Sequence, residues 1–351
     1  MSANNSDVLP LVSVIVTTRN EKDIIQSCIL SIFDQSYSNF EVIVIDADSS
    51  DGTLQRAVAL TEYSKSILGC KRYVTLSTEA NSPARGRNIG VELSQGSIVA
   101  FIDADCIAEI HWLINLVSHL RHTVGMVGGP SVLKHFRHSI ITEALDSALQ
   151  TFLGSGGSPQ FLRIKDKTQV YAVASCNMAI QKGLFIEVGG FNENLRYNED
   201  SDLSNRIRKK GYKITYIPEA RVNHFMGIDS YSDLSRLIYK YGFERGKNAA
   251  KDWHMLTKFN IISIAFVVTV LSLLLVSFFF ELGFLILFCI IGVVAMIILI
   301  SSVKISIKNR SLVLFFLVVP VFLFIHTAYN FGFILGSTAS LLSELGKMLR
   351  L

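Results

Sequence analysis

Between Phe259 and Val303 the only charged residue is Glu281. No other feature limits the possible folds as strongly, because an apolar stretch of that length has no place on a water-exposed surface. Ile261 to Phe280 is a run of twenty residues without a charge, and at a rise of about 1.5 Å per residue it spans about 30 Å, the hydrocarbon thickness of a bilayer. Leu282 to Ile300 is a second such run. One straight helix through both would be far too long, so the chain is expected to turn near Glu281–Gly283 and form a helical hairpin. Ser311 to Gly336 is a third apolar stretch, kinkable at Pro320.

The flanking charges suggest an orientation. Arg236, Lys240, Arg245, Lys247, Lys251 and Lys258 precede the first span, against only Glu244 and Asp252, and Lys304, Lys308 and Arg310 follow the second without an acid. Both basic segments flank the same side of the hairpin, which the positive-inside rule places in the cytoplasm. A third crossing would carry Lys347 and Arg350 to the other side, so a re-entrant or interfacial course is the alternative for that segment. His326, Tyr329 and Asn330 suit interhelical hydrogen bonding, or contact with a lipid-linked substrate.

Upstream, charges are frequent from Asp7 to Lys258. The mean hydropathy of +0.40 over 351 residues therefore averages a water-soluble part and a membrane part. The five cysteines (Cys28, Cys70, Cys106, Cys176 and Cys289) form no C-x-x-C pair. An odd number of scattered thiols suits a reducing compartment and reads as small buried hydrophobes. Met1 to Pro10 lacks a basic region of the secretory kind. The formal charge of +4 is accounted for by the juxtamembrane lysines and arginines. No groove-reading motif accompanies it, so nucleic acid is not an expected partner.

The soluble part alternates strands and helices. Val12–Val16, Glu41–Ile45 and Ser97–Ile102 read as buried strands, Arg72–Leu76 as a further strand, and Glu21–Phe33 as a helix. Such alternation predicts an α/β sheet with parallel strands. Ser50 or Asp51 is placed to cap the helix after the second strand. Ligands bind outside the carboxyl ends of strands in open α/β sheets. Asp46 and the pair Asp103/Asp105 each stand directly after a buried strand. Asp46 alone would read as a turn or cap residue; the two occurrences together suggest a shared site.

Asp103-Ala-Asp105 places two carboxylates on one turn, and hard oxygen ligands of that kind suit a divalent cation such as Mg²⁺ or Mn²⁺ holding a diphosphate. In Glu199-Asp200-Ser-Asp202-Leu-Ser-Asn-Arg206 the acids occupy the expected first turn of a helix. Asp202 and Arg206 are spaced for an i, i+4 ion pair, whereas Asp200 could project from the helix start as a general base. His224 follows an expected strand, Lys213 to Ile217, and by itself reads as a satisfied structural histidine. Gly128-Gly-Pro130 and Gly189-Gly-Phe191 read as turns, and Gly154-Ser-Gly-Gly-Ser158 as a flexible loop in the linker Ser131–Thr168. Ser230 to Lys258 reads as an amphipathic helix on the membrane face, or else a solvated linker helix.

In this order the segments VSVIVTTRNE (Val12–Glu21), EVIVIDADSSDGT (Glu41–Thr53), ARGRNIG (Ala84–Gly90), GSIVAFIDAD (Gly96–Asp105), CNMAI (Cys176–Ile180), VGGFNE (Val188–Glu193) and EDSDLSNR (Glu199–Arg206) resemble the family-2 glycosyltransferases with a GT-A fold. The resemblance implies a Rossmann-like α/β nucleotide-sugar-binding domain followed by transmembrane α-helices. The implied division is a polar tail (1–9), an enzyme domain (10–225) with a donor half (10–115) and an acceptor half (116–225), an amphipathic segment (226–258) and a membrane domain (259–351) with helices at 261–280, 282–300 and 311–336.

By this resemblance Thr17, Arg19, Glu21 and Asp46 line the base and ribose pocket, and Arg87 lies near the donor. Asp103 faces ribose and metal, Asp105 ligates the metal, His224 completes its coordination, and Asp200 is the catalytic base. Two departures stand out: Arg19 occupies a position where relatives carry an aromatic that stacks on the base, and Asp46-Ala47 keeps only the first acid of a familiar pair. The absence of a Gln-x-x-Arg-Trp motif after residue 206 favours addition of a single sugar over processive synthesis.

The expected activity is an inverting, Mn²⁺- or Mg²⁺-dependent transfer from a nucleotide sugar, with a UDP-sugar favoured, to a lipid-linked, polyprenyl-borne glycan at the cytoplasmic face of the cell membrane. Transfer directly to polyprenyl phosphate is the alternative. A catalytically silent scaffold is a third reading, against which Asp103, Asp105 and Asp200 argue.

Overall fold

The β-branched run at Val12 forms strand β1 (Val12–Thr18), and helix α1 (Ile25–Phe33) and strand β2 (Phe40–Asp46) follow. Next come α2 (Thr53–Val58), α3 (Thr61–Ser64), β3 (Cys70–Ser77), α4 (Pro83–Leu93), β4 (Ile98–Asp103), β5 (Cys106–Ala108), α5 (Trp112–Val117), β6 (Val124–Gly128) and β7 (Ser131–Leu133). Two helices, α6 (Ile140–Leu149) and α7 (Phe152–Ser155), precede β8 (Thr168–Gln169), β9 (Asn177–Gln181), α8 (Lys182–Glu187), α9 (Glu199–Lys209), β10 (Lys213–Tyr216) and β11 (Val222–His224). Four longer helices end the chain: α10 (Tyr231–Ala249), α11 (Lys258–Ser277), α12 (Glu281–Asn309) and α13 (Leu312–Met348).

This computed structural model describes residues 9–121, 123–162, 164–253 and 256–348. The polar tail before residue 9, and Arg350, lie outside the described residues. Two units are distinguished, Met1–Lys134 with Pro159–Met226, and His135–Ser158 with Gly227–Leu351.

The first unit is built on an eight-stranded sheet in the order β3-β2-β1-β4-β9-β6-β10-β8. Strands β3, β2, β1 and β4 are mutually parallel, as the alternating pattern predicts, whereas β9 runs antiparallel between β4 and β6. The sheet is therefore mixed. Register fixes the site. Thr17 pairs with Asp103 and Thr18 with Asp46, so the acids that end β2 and β4 stand on either side of the end of β1. A three-stranded sheet, β5-β11-β7, sets His224 opposite Cys106, the residue after Asp105.

Apolar residues on both faces of the large sheet form two cores, one against α1 and Trp112, the other against α4, α8 and α9. Helix α4 lies close to β1 because Gly90 faces it; a Cβ there would stand 2.5 Å from Ile15 Cγ2. Asn88, on the same helix, accepts from Phe191 N and donates to Phe191 O, both at 2.9 Å. The Gly189-Gly190 turn can meet it because both glycines adopt positive φ, 85° and 66°.

Among the described residues of the second unit, three helices are long and apolar enough to cross a membrane: Phe259–Ser277, Glu281–Asn309 and Leu312–Gly346. The chain turns at Phe278–Phe280 between the first two, close to the expected position. The last helix continues past Gly336, since no strong helix breaker follows, and it accommodates Pro320 internally. Helix α10 packs along α13. Gly242 and Gly246 face the backbone of Tyr329 and Phe333, while Gly332 and Gly336 face that of Tyr239 and Phe243. Each pair is spaced i, i+4, so the backbones approach closely, in the manner of small-residue helix contacts in membranes. Asn260 donates to Tyr329 Oη and Ser263 to Asn330 Oδ1, each at 2.6 Å, the interhelical bonding expected of Tyr329 and Asn330, whereas His326 Nε2 is buried without a partner among the described residues.

Candidate active site

The site forms where the chain leaves β1, β2 and β4. After β1, the turn Arg19–Glu21 is tied to the turn after β2. Asn20 N donates to Ser49 Oγ at 2.8 Å, Ser50 N to Asn20 Oδ1 at 2.9 Å, and Glu21 N to Thr53 Oγ1 at 2.8 Å. Asn20 and Asp48 take left-handed φ values of 58° and 54°, which short polar side chains tolerate. Asp51 accepts from Thr53 N at 3.0 Å and Lys22 N at 3.1 Å, which closes the turn into α2, while the N-cap position itself is Gly52 in the left-handed region rather than Ser50 or Asp51.

Asp46 is buried. Its Oδ2 accepts from Ser49 N at 3.0 Å and Ser77 Oγ at 3.3 Å. Among the described residues, Asp46 Oδ1 and the neighbouring Thr18 Oγ1 are buried without a hydrogen-bond partner. A buried acceptor left open costs about 1–3 kcal/mol, and such a group invites a donor. Arg19 is exposed beside this floor. Burial, and then the carboxylates of Asp105, Asp51 and Asp103, push the Glu21 carboxyl up to about 7.

Asp103 and Asp105 end β4 and the turn after it. Asp103 Oδ1 accepts from Arg87 Nη2 at 2.6 Å and from Thr17 Oγ1 at 3.4 Å. Asp105 Oδ2 lies 3.1 Å from His224 Nε2, and Asp105 O accepts from Phe225 N at 2.9 Å. One ligand atom from each of Asp103, Asp105 and His224 falls within 4.8 Å of the others. Two carboxylates and an imidazole are a donor set that Mn²⁺ or Mg²⁺ accepts. Burial opposes a charge on His224, yet Asp105 and the Cys176 sulfur together hold its pKa well above the ordinary imidazole value.

Arg87 is 3% exposed and lies inside the fold. Its Nη1 donates to Glu199 Oε1 at 2.8 Å and its guanidinium sits 5.5 Å from the Phe191 ring centroid. Glu199 also accepts from Ser175 Oγ at 3.2 Å. Its burial, outweighing Arg87 and reinforced by Asp200, raises its carboxyl to about 7. Glu199 opens α9, and Asp200 follows in the first helical turn, its Oδ1 accepting from Ser201 N at 2.6 Å. Asp202 and Arg206 make the i, i+4 pair expected of them, at 2.7 Å.

The structure therefore brings Thr17, Arg87, Asp103, Asp105 and His224 into one connected cluster. Asp46 occupies the neighbouring strand end, and Asp200 is linked to the cluster through Glu199. Sequence reasoning missed Glu199, Cys106 and Cys176 as neighbours of this cluster. The Glu199-Asp200 pair was a visible signal for the first. Cys106 directly follows Asp105 and Cys176 opens the CNMAI segment, but no local pattern signals that their sulfurs meet beside His224.

A mixed sheet of this order, with acids at the ends of β2 and β4 and a D-x-D turn, defines a GT-A nucleotide-sugar enzyme. Residues 13–187 match the model described as Glycosyl transferase family 2, and residues 161–228 one described as N-terminal domain of galactosyltransferase. The chain belongs to glycosyltransferase family 2. Similar proteins include Glycosyltransferase AglE of Haloferax volcanii, 28% identical across 71% of this chain and 76% of its own length. Another is the UDP-Glc:alpha-D-GlcNAc-diphosphoundecaprenol beta-1,3-glucosyltransferase WfgD of Escherichia coli, 35% identical across 30% of this chain and 37% of its own. Among solved structures, the mannosyltransferase PcManGT of Pyrobaculum calidifontis, in complex with GDP-Man and Mn²⁺, has the same fold. The TM-score is 0.51 at 20% identity, over 71% of this chain and 64% of that one.

Proposed function

We propose that the chain transfers one sugar from a nucleotide-sugar donor to a membrane-associated, polyprenyl-linked glycan, in a single inverting displacement. The observation that carries this reading is the convergence of Asp103, Asp105 and His224 beside the open Asp46 acceptor. Support for the acceptor comes from the helices able to cross a membrane and from the name of WfgD, which specifies a diphosphoundecaprenol-linked sugar. The basic segments before α11 and after α12 favour the cytoplasmic face for the catalytic unit.

Each residue has a task in this reading. Asp46 Oδ1 accepts an N–H or O–H of the nucleoside, alongside Thr17, Arg19 and Glu21. Asp103, Asp105 and His224 would hold Mn²⁺ or Mg²⁺, which supplies charge neutralisation to the departing diphosphate. Arg87 stays charged and orients Asp103, and through Glu199 it anchors the start of α9. Asp200 takes the proton from the acceptor hydroxyl as that oxygen attacks the anomeric carbon. Inversion requires Asp200 on the side opposite the leaving diphosphate. A UDP-sugar is the favoured donor.

The test is release of nucleoside diphosphate by the detergent-purified full chain, supplied with a panel of nucleotide sugars, Mn²⁺ or Mg²⁺, and a polyprenyl-glycan extract. Metal-dependent release from one donor, abolished in Asp105→Ala, is expected. No release from any donor by folded protein with a competent acceptor would refute the reading.

A further inference from the structure

Behind the D-x-D turn lies a second group of ligands. Cys106 and Cys176 are 0% and 3% exposed and His224 is 6% exposed. One donor atom from each falls within 4.8 Å of the other two. Cys176 Sγ stands 3.7 Å from His224 Nδ1. We propose that Cys106, Cys176 and Nδ1 of His224 form a binding site for a thiophilic divalent ion such as Zn²⁺.

The dimensions suit the ion. Tetrahedral zinc with bonds of about 2.3 Å to sulfur and about 2.0–2.1 Å to nitrogen separates those two ligands by about 3.6 Å. The observed S···N distance of 3.7 Å needs almost no rearrangement. Ser131 Oγ, 3.2 Å from Cys176 Sγ, is available as a fourth donor. The other ring nitrogen is already oriented, since His224 Nε2 lies 3.1 Å from Asp105 Oδ2. A carboxylate holding the far nitrogen of a ligating histidine is the usual support for such a site. On binding, the protons held by the two sulfurs and by Nδ1 pass to solvent, while the Nε2 proton remains on the ring, donated to Asp105 Oδ2.

The set is soft where the D-x-D set is hard. Thiolates select zinc-like ions, and carboxylates select Mg²⁺ and Mn²⁺. Both sets use one imidazole, through its opposite nitrogens. A zinc ion at Nδ1 keeps the proton on Nε2 and so withholds His224 from the other site. That inhibitory consequence rests on the proposed function; the site itself does not.

Cobalt reports the site directly, without turnover. Full-length protein in detergent, stripped of metal and kept reduced with a phosphine, is titrated with Co²⁺. A sulfur-to-cobalt charge-transfer band saturating at about one equivalent is expected. The band should be lost in Cys106→Ser and in Cys176→Ser, and should persist in Cys28→Ala and Asp103→Asn. Cobalt binding without the band, or a band that survives both serine substitutions, would overturn the proposal. If a serine variant fails to fold, alkylation of the wild type decides. Zn²⁺ should slow modification of Cys106 and Cys176 far more than of buried Cys28, and equal slowing at all of them would contradict the site.

Discussion

Arg87 Nη2 donates to Asp103 Oδ1 at 2.6 Å, from within a fold that leaves the arginine 3% exposed. The opposite nitrogen reaches Glu199, so one guanidinium joins the end of β4 to the start of α9. An isolated buried charge is costly, and the carboxyl groups of Asp103 and Glu199 pair two of the guanidinium nitrogens, while Nε is buried without a partner among the described residues. The arrangement fixes the first acid of the D-x-D turn relative to the helix that carries Asp200.

Arg87→Met should destabilise the protein by about 3–5 kcal/mol, the usual cost of removing one partner from a buried ion pair. Denaturant unfolding in detergent measures it. Adding Glu199→Gln should cost less than the sum of the two single changes, since both remove one interaction. Strict additivity would show that the two residues do not act together.

Glu199 gives a pH dependence with a defined sign. Its carboxyl sits at about 7 in the folded chain against an ordinary 4.5, so between those values the folded state binds more protons. Stability is then greatest below about 4.5 and falls as pH rises towards 7, by roughly 3 kcal/mol at most for this group. In metal-free buffer Glu199→Gln should flatten that decline. Part of it should remain, because Glu21 is raised over the same window.

Gly90→Ala should destabilise by about 1–3 kcal/mol, because the new methyl would overpack Ile15. Gly183→Ala, on α8 where a Cβ meets nothing within 4 Å among the described residues, is the control. It should be neutral or stabilising by up to about 1 kcal/mol through helix propensity. Thermal unfolding of the two variants separates packing from backbone effects.

Asp46→Asn should weaken nucleoside diphosphate binding by about 1–3 kcal/mol, or roughly 5- to 150-fold. The amide oxygen can keep the bonds from Ser49 and Ser77, leaving an NH₂ group where an acceptor stood. Calorimetric titration with UDP and GDP measures the loss. Unchanged affinity for both would remove Asp46 from the donor pocket.

The strand-end acids were legible in the sequence because each follows a short β-branched run, and period and position alone place them at one sheet edge. The rest depended on contacts that no local pattern encodes. His224 reaches Asp105 across 119 residues, and Arg87 meets Glu199 across 112. The direction in which Arg87 points is set by packing: Gly86 and Gly90 bring α4 onto β1, and Asn88 clamps the turn at Phe191. Antiparallel β9 was likewise hidden, since its apolar run reads the same in either direction. In α10, glycines at 242 and 246 are weak helix formers by propensity, and only the matching glycines of α13 explain them.

The central claim is tested most directly by sugar transfer from the identified nucleotide sugar to lipid-linked acceptor, comparing wild type with Asp200→Asn under conditions where both bind the donor equally. The account predicts that donor binding survives and transfer falls by about 10²–10⁴-fold, the range typical of losing a general base. Transfer within a few fold of wild type would contradict it, and would move the proton-accepting role away from the start of α9.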